Sequence, residues 1–238
     1  MGKNLIQQKR GKGSPTYRAP SFRYEGKTAY NSYTKNLIGG EIKDIIHCSG
    51  HSAPLVDVVY DNGETSLLQA SEGIKVGDKI MHGEEAPVSP GNILPLKSIP
   101  EGTLIYNIEG APGDGGKFVR CSGTSAKVLN KIKDKVTVML PSKKEKEFNS
   151  SCRATIGIIA GAGRTEKPFL KAGFKFHAMR ARNKMWPRSA ALAMNAVSHP
   201  FGGRSTCAKG KASTVSRDAP PGAKVGKVAA RRTGWKRR

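Results

Sequence analysis

The sequence predicts a mostly β protein: two small β domains in the middle of the chain, with an extended basic arm at each end. Three observations predict it. Charge is segregated, since residues 1–36 carry eight Lys/Arg against one acid, residues 37–167 sixteen against sixteen, and residues 168–238 seventeen against one. Short β-branched segments bounded by Gly, Asn, Asp or Pro follow one another closely, and only in the neutral middle. The chain also holds 28 Gly and 14 Pro, which suit loops and extended backbone, and its 6 % aromatics is low for a single compact globule.

The ends have too few apolar residues to build cores, and like charges oppose compaction. They are expected to order when a partner neutralises them. A net charge of +23 in this arrangement suits a polyanion, because phosphate neutralisation with counterion release supplies most nucleic-acid affinity. The N-terminal arm, 1–36, interleaves its bases with Phe22, Tyr24, Tyr30 and Tyr33. Rings and cations together suit RNA, whose unpaired bases stack on aromatics. The same rings could instead pack on the neighbouring domain.

In the middle, Glu41–Ile46 and Leu55–Tyr60 read as strands. Asp61-Asn62-Gly63 turns the chain into Glu64–Ala70, making a hairpin. Gly77–Ile80 opens a further strand, and the set indicates a small barrel over 37–84. Residues 85–95, with Pro87, Pro90, Gly91 and Pro95, read as a linker. A second set follows over 96–167: Thr103–Ile108, Lys117–Arg120, a hairpin of Ala126–Ile132 and Lys135–Leu140, and Ala154–Ile159. Helix is limited to short turns near Ser71–Gly73 and Ser189–Ala193. From 168 the periodicity fades into Gly, Ala, Lys and Arg with scattered rings.

Three constellations raise chemistry and fall short of it. Gly110–Lys117 has glycines at phosphate-loop spacing, but Gly116 stands where the lysine belongs and Phe118 follows Lys117. His47-Cys48-Ser49-Gly50-His51 offers three possible metal ligands without the second cluster a structural zinc needs. Ser198-His199 has neither a nucleophile elbow nor an acid nearer than Asp218. Cys48, Cys121, Cys152 and Cys207 form no CxxC pair, and Met1–Ile6 opens no apolar leader, so a reduced cytoplasmic setting without membrane insertion is expected. No enzyme activity is expected. The basic ends also suit a free RNA chaperone, and an RNA-modifying enzyme would need a cofactor site that the sequence does not show.

Ordered stretches along nearly the whole chain carry a resemblance. They include Gly2–Gly13, Pro90-Gly91-Asn92, Ile99-Pro100-Glu101-Gly102-Thr103 and Cys152-Arg153-Ala154-Thr155. Leu170-Lys171-Ala172-Gly173, Trp186-Pro187-Arg188, His199-Pro200-Phe201-Gly202-Gly203, Arg217-Asp218-Ala219-Pro220 and Ala229–Gly234 continue them. In these the chain resembles the universal large-subunit ribosomal protein family L-two, archaeal/eukaryotic type. The resemblance implies an OB-like barrel over 37–84, an SH3-like barrel over 96–167, and basic arms at 1–36 and 168–238 threaded into RNA. It implies a structural constituent of the large ribosomal subunit in the cytoplasm. The implied partners are large-subunit rRNA and neighbouring ribosomal proteins, near the small-subunit interface. Support of subunit association and of the peptidyl-transferase region is implied, with the His199 loop nearest that region. The chain departs from the family pattern at Cys48–His51, Ala196, Ser198 and Arg204.

The residues expected to bind rRNA are Lys9, Arg10, Lys12, Arg18 and Arg23 in the first arm. In the second they are Lys171, Lys175, Arg180, Arg182, Lys184, Trp186 and Arg188, then His199, Gly202, Gly203 and Arg204, then Arg217, Arg231 and Arg232. No cofactor or resident metal is expected, although Mg2+ could bridge loops to rRNA.

Overall fold

A computed structural model describes residues 6–31, 37–203 and 214–231. The chain divides into two compact units, Ser21–Ala172 and a second joining Met1–Pro20 to Gly173–Arg238.

The first unit is built on ten strands: β1 (Ile38–Ile46), β2 (Leu55–Tyr60), β3 (Thr65–Gln69), β4 (Lys79–His82), β5 (Ile93–Pro95), β6 (Leu104–Tyr106), β7 (Ala126–Ile132), β8 (Lys135–Met139), β9 (Glu145–Asn149) and β10 (Arg153–Ile156). They form one sheet in the order β3-β2-β1-β4-β5-β10-β6-β7-β8-β9. Both expected hairpins form, β2 with β3 and β7 with β8. Gly63 turns the first in the left-handed region at φ 80°, and Lys133 turns the second at φ 50°.

Two cores share this sheet. Ile42, Val56, Val58, Tyr60, Leu68, Ile80 and Ile93 bury one. Leu94, Leu96, Ile99, Ile105, Val128, Val136, Val138, Phe148, Ala154 and Ile156 bury the other. β5 is the seam between them, because side chains alternate along a strand and so Ile93 and Leu94 enter different cores. Its residues lie in the stretch read as a linker. Pro87 to Asn92 do make turns there, with the Asn92 amide donating to the Pro87 carbonyl at 2.9 Å. The last three residues are nevertheless buried strand, pairing β4 on one side and β10 on the other. Three residues with Pro at the end carry no strand periodicity, which is why β5 escapes a sequence reading.

β9 escaped for another reason. Its sequence Glu-Lys-Glu-Phe-Asn is nearly all charged, because it is an edge strand with only Phe148 turned inward.

The described residues 21–31 belong to the β unit and not to a free arm. Tyr24 packs on Gly50 so closely that a Cβ there would lie 2.6 Å from the ring. Thr28 and Tyr30 are buried. The Ala29 amide donates to the Leu67 carbonyl and the Tyr30 amide to the Gly115 carbonyl, each at 3.2 Å. Arg120 fastens this strap, donating to the Gly116 carbonyl at 2.9 Å, to the Thr28 carbonyl at 2.8 Å, and to the Thr28 hydroxyl.

Beneath the strap lies a buried ion pair. Arg153 Nη2 donates to Glu109 Oε1 at 2.7 Å, with side chains 3 % and 0 % exposed. Nε donates to the same oxygen at 3.0 Å, and the Arg153 amide to Oε2 at 2.8 Å. Glu109 also accepts from the Gly113 and Gly115 amides. Arg153 Nη1 reaches the Asn31 carbonyl at 3.0 Å and His82 Nε2 at 3.3 Å, and the guanidinium lies 5.2 Å from the Tyr30 ring centre. Tyr30 donates to the Asn107 carbonyl at 2.7 Å, and its oxygen is 2.7 Å from Thr155 Oγ1.

The second unit contains α1 (Ile6–Gly11), α2 (Ala172–Ala181) and a two-stranded parallel ladder of β11 (Thr214–Val215) and β12 (Lys227–Val228). α2 opens one residue before the unit boundary. The sequence reading expected no helix of this length. α2 has no buried residue, so no apolar face at helical spacing announces it. A short turn at Ala191–Ala193 falls where one was expected.

Two outcomes follow for the β unit. Glu109→Ala leaves the Arg153 charge buried and unpaired, and should lower unfolding stability by about 3–5 kcal/mol, read as a lower urea midpoint. Burial first, then the Arg153 charge, pushes His82 down from 6.5 to about 4, while Glu109 pulls weakly upward. The unfolded chain therefore binds more protons than the folded one between these values. Stability present above pH 6.5 should decline as pH falls toward about 4. His82→Gln should remove that part of the decline, and superimposable pH curves for the two proteins would contradict it.

Candidate nucleic-acid interface

The second unit presents basic side chains on a scaffold with almost no interior. Among its described residues only Gly202 is buried. Lys9 and Arg10 close the last turn of α1, Lys12 follows, and all three are exposed. The Arg10 guanidinium lies 5.9 Å from the Tyr17 ring centre, and Arg18 is exposed after a turn at Pro15–Tyr17. In the β unit, the Arg23 guanidinium lies 5.4 Å from the ring centre of Phe22, a residue 82 % exposed.

α2 and the chain after it supply the densest group. Lys171 is exposed just before α2. Within the helix Lys175 reaches back over the Trp186 ring, 5.5 Å from its centre, so cation and ring form one surface. Arg180 is exposed and Arg182 half-buried. Asn183 ends the helix in the left-handed region at φ 49°, letting the Lys184 amide donate back to the Met179 carbonyl at 2.8 Å. Lys184 and Arg188 are exposed, as are Phe174 and Phe176. Exposed rings between cations are placed to stack on bases while the cations meet phosphate.

The His199 loop is tightly closed. The Ser198 amide donates to the Asn195 carbonyl at 2.9 Å, Gly202 to His199 at 2.8 Å and Gly203 to Met194 at 3.0 Å. A Cβ on Gly202 would collide with the Asn195 carbonyl oxygen, and Gly203 sits at φ 101°, so both glycines are demanded by the backbone. His199 is half-buried, its ring centre 5.4 Å from that of Phe201. Arg217 and Arg231 are exposed beside β11 and β12. Arg204 and Arg232 lie outside the described residues.

The catalytic and metal constellations have structural uses. The amides of Gly110, Ala111 and Gly116 donate to Asp114, and those of Gly113 and Gly115 to Glu109. The glycine loop thus spends its N–H groups on the protein's own carboxylates and offers no phosphate cradle. Cys48 is buried with His51 Nδ1 3.1 Å from its sulfur, and no group of three or more metal-binding side chains occurs among the described residues. Cys48, Cys121 and Cys152 are free thiols, while Cys207 lies outside the described residues. No helix among the described residues is long and apolar enough to cross a membrane.

Sequence reasoning found the basic and aromatic residues but missed Arg120 and Arg153 as the two arginines turned inward. Their signal was present: each sits in a β segment next to a Cys, amid apolar residues.

Gly202→Ala should disrupt the Asn195–Gly203 loop and leave the β unit intact. The check is loss of the loop's amide resonances in NMR with the urea midpoint of the β unit unchanged.

Residues 89–224 match the family described as Ribosomal Proteins L2, C-terminal domain. The chain is 51 % identical over 241 residues to the large ribosomal subunit protein uL2 of Methanothermobacter thermautotrophicus, covering all of both chains. It is 50 % identical over 235 residues to that of Natronomonas pharaonis, covering 98 % of this chain and 97 % of the relative. It is 49 % identical over 237 residues to that of Archaeoglobus fulgidus, again over the whole of both. A mostly β body flanked by exposed basic segments, matched end to end by these archaeal relatives, places the chain in the ribosomal protein L2 family, archaeal type.

Proposed function

We propose that this protein is a structural constituent of the large ribosomal subunit that binds large-subunit rRNA through its two basic ends. The observation that carries the reading is the second unit's lack of an interior. A segment with one buried residue among those described, and that residue a glycine, cannot offset its own ordering entropy. Its exposed cations and rings supply what an RNA partner would neutralise and stack upon.

In this reading the β unit is the mount: an OB-like barrel over 37–84 and an SH3-like barrel over 96–167, joined through β5. The strap at 24–31 is packed into this mount. The nineteen residues named from the sequence, Arg204 and Arg232 included, form the rRNA-binding set. The His199 loop stands nearest the peptidyl-transferase region, and the protein supports that region and subunit association beside neighbouring ribosomal proteins. The site is cytoplasmic, within the large subunit.

Binding to large-subunit rRNA should weaken steeply with salt. Each phosphate neutralised on a duplex contributes about −0.9 to the slope of log affinity against log salt, so roughly six to ten contacts would cost about 10^3–10^5 in affinity between about 50 and 200 mM. Filter binding across that range measures it. A flat response, or failure of the protein to cosediment with large subunits in moderate salt, would overturn the reading.

A further inference from the structure

His199 is held in one defined protonation geometry. The Phe201 amide donates to His199 Nδ1 at 3.0 Å. An N–H can donate only to a ring nitrogen that carries a lone pair, so Nδ1 is the bare nitrogen and Nε2 carries the proton of the neutral ring. The Phe201 ring against the imidazole and the closure of Gly202 onto His199 keep the ring in this orientation. Nε2 has no hydrogen-bond partner among the described residues, and His199 is only half-buried. No carboxylate occurs in the sequence between Glu166 and Asp218 to draw the ring into a dyad.

We propose that His199 is a fixed neutral donor, giving its Nε2–H to a hydrogen-bond acceptor of the folded rRNA. Phe201 is the positioning residue, acting through its backbone amide. The inference rests on the rRNA-binding reading above and adds the role of one atom. In this geometry Nε2 has no free lone pair, so it cannot ligate a metal ion. A neutral donor also releases no counterion. Its loss lowers affinity by the same factor at every salt concentration, whereas loss of an arginine contact flattens the salt slope.

Two amide side chains separate the two nitrogens. Gln can place an N–H where Nε2–H stands, while Asn reaches only the Nδ1 position. Full-length wild type, His199→Gln, His199→Asn and His199→Ala are compared in filter binding to large-subunit rRNA at several salt concentrations. The expected result is that Gln stays within about threefold of wild type while Asn and Ala weaken about tenfold, with all four slopes equal. Asn binding as well as Gln, or a flattened slope for Asn, overturns the donor role. Should wild type show no salt-dependent binding, the broader reading fails. Should wild type bind and all variants match it, the His199 inference alone fails. Nitrogen-15 NMR of the imidazole in the wild-type protein decides the matter independently of the variants. The inference requires the proton on Nε2, and a proton on Nδ1 contradicts it.

Discussion

The Glu109–Arg153 pair is the interaction on which the rest of the structure depends. Arg153 begins β10, the strand between β5 and β6, and its guanidinium touches His82 at the end of β4, the Asn31 carbonyl and the Tyr30 ring. Glu109 closes the other side by collecting the amides of the glycine loop. One buried pair thus ties the first core, the second core and the incoming N-terminal strap. A buried ion pair is a weak source of net stability, because desolvation consumes most of the attraction. What it supplies here is uniqueness of arrangement: Arg153 meets Glu109 through Nε and Nη2 and meets Asn31 and His82 through Nη1, so a shifted strap or rotated core would leave buried donors unmet.

That constraint gives the charge segregation its physical sense. Residues 37–167 balance sixteen bases against sixteen acids and contain all ten strands of the large sheet. They fold around their own apolar residues. Among the described residues of the second unit only Gly202 is buried, so those residues have almost no apolar interior of their own. The strap is where the two regimes meet. Residues 24–31 carry Tyr24, Thr28 and Tyr30 into the β unit, so the basic residues before them extend from a fixed point. A tethered arm loses less freedom on binding than a free one, which is a physical reason to build anchored arms and not a separate basic peptide.

Much of this was legible in the sequence. The neutral span located the β unit. β2 and β7 fall within the expected boundaries, because their β-branched residues alternate. Arginines and lysines beside aromatics marked the exposed basic set. Where the structure goes beyond the sequence, each case has a cause. β5 is three residues of buried strand inside a proline-rich stretch, and β9 is an edge strand written in charges. α2 makes a helix without an apolar face. Arg120 and Arg153 each sit beside a Cys among apolar residues, but their inward direction follows from partners distant in the chain, Thr28 and Glu109. Tyr30 was open to both an RNA-stacking and a packing role, and its burial at 6 % exposure decides for packing.

We propose a division of labour between an internally satisfied β mount and ends whose exposed cations and rings meet RNA. A crosslinking map of the full-length protein on large-subunit rRNA tests it most directly. Crosslinks should concentrate at residues 6–23 and 171–231, with the Glu109–Arg153 neighbourhood and the strands that bury the two cores unlabelled. Crosslinks concentrated on the strands of the large sheet, with both basic ends bare, would contradict the account.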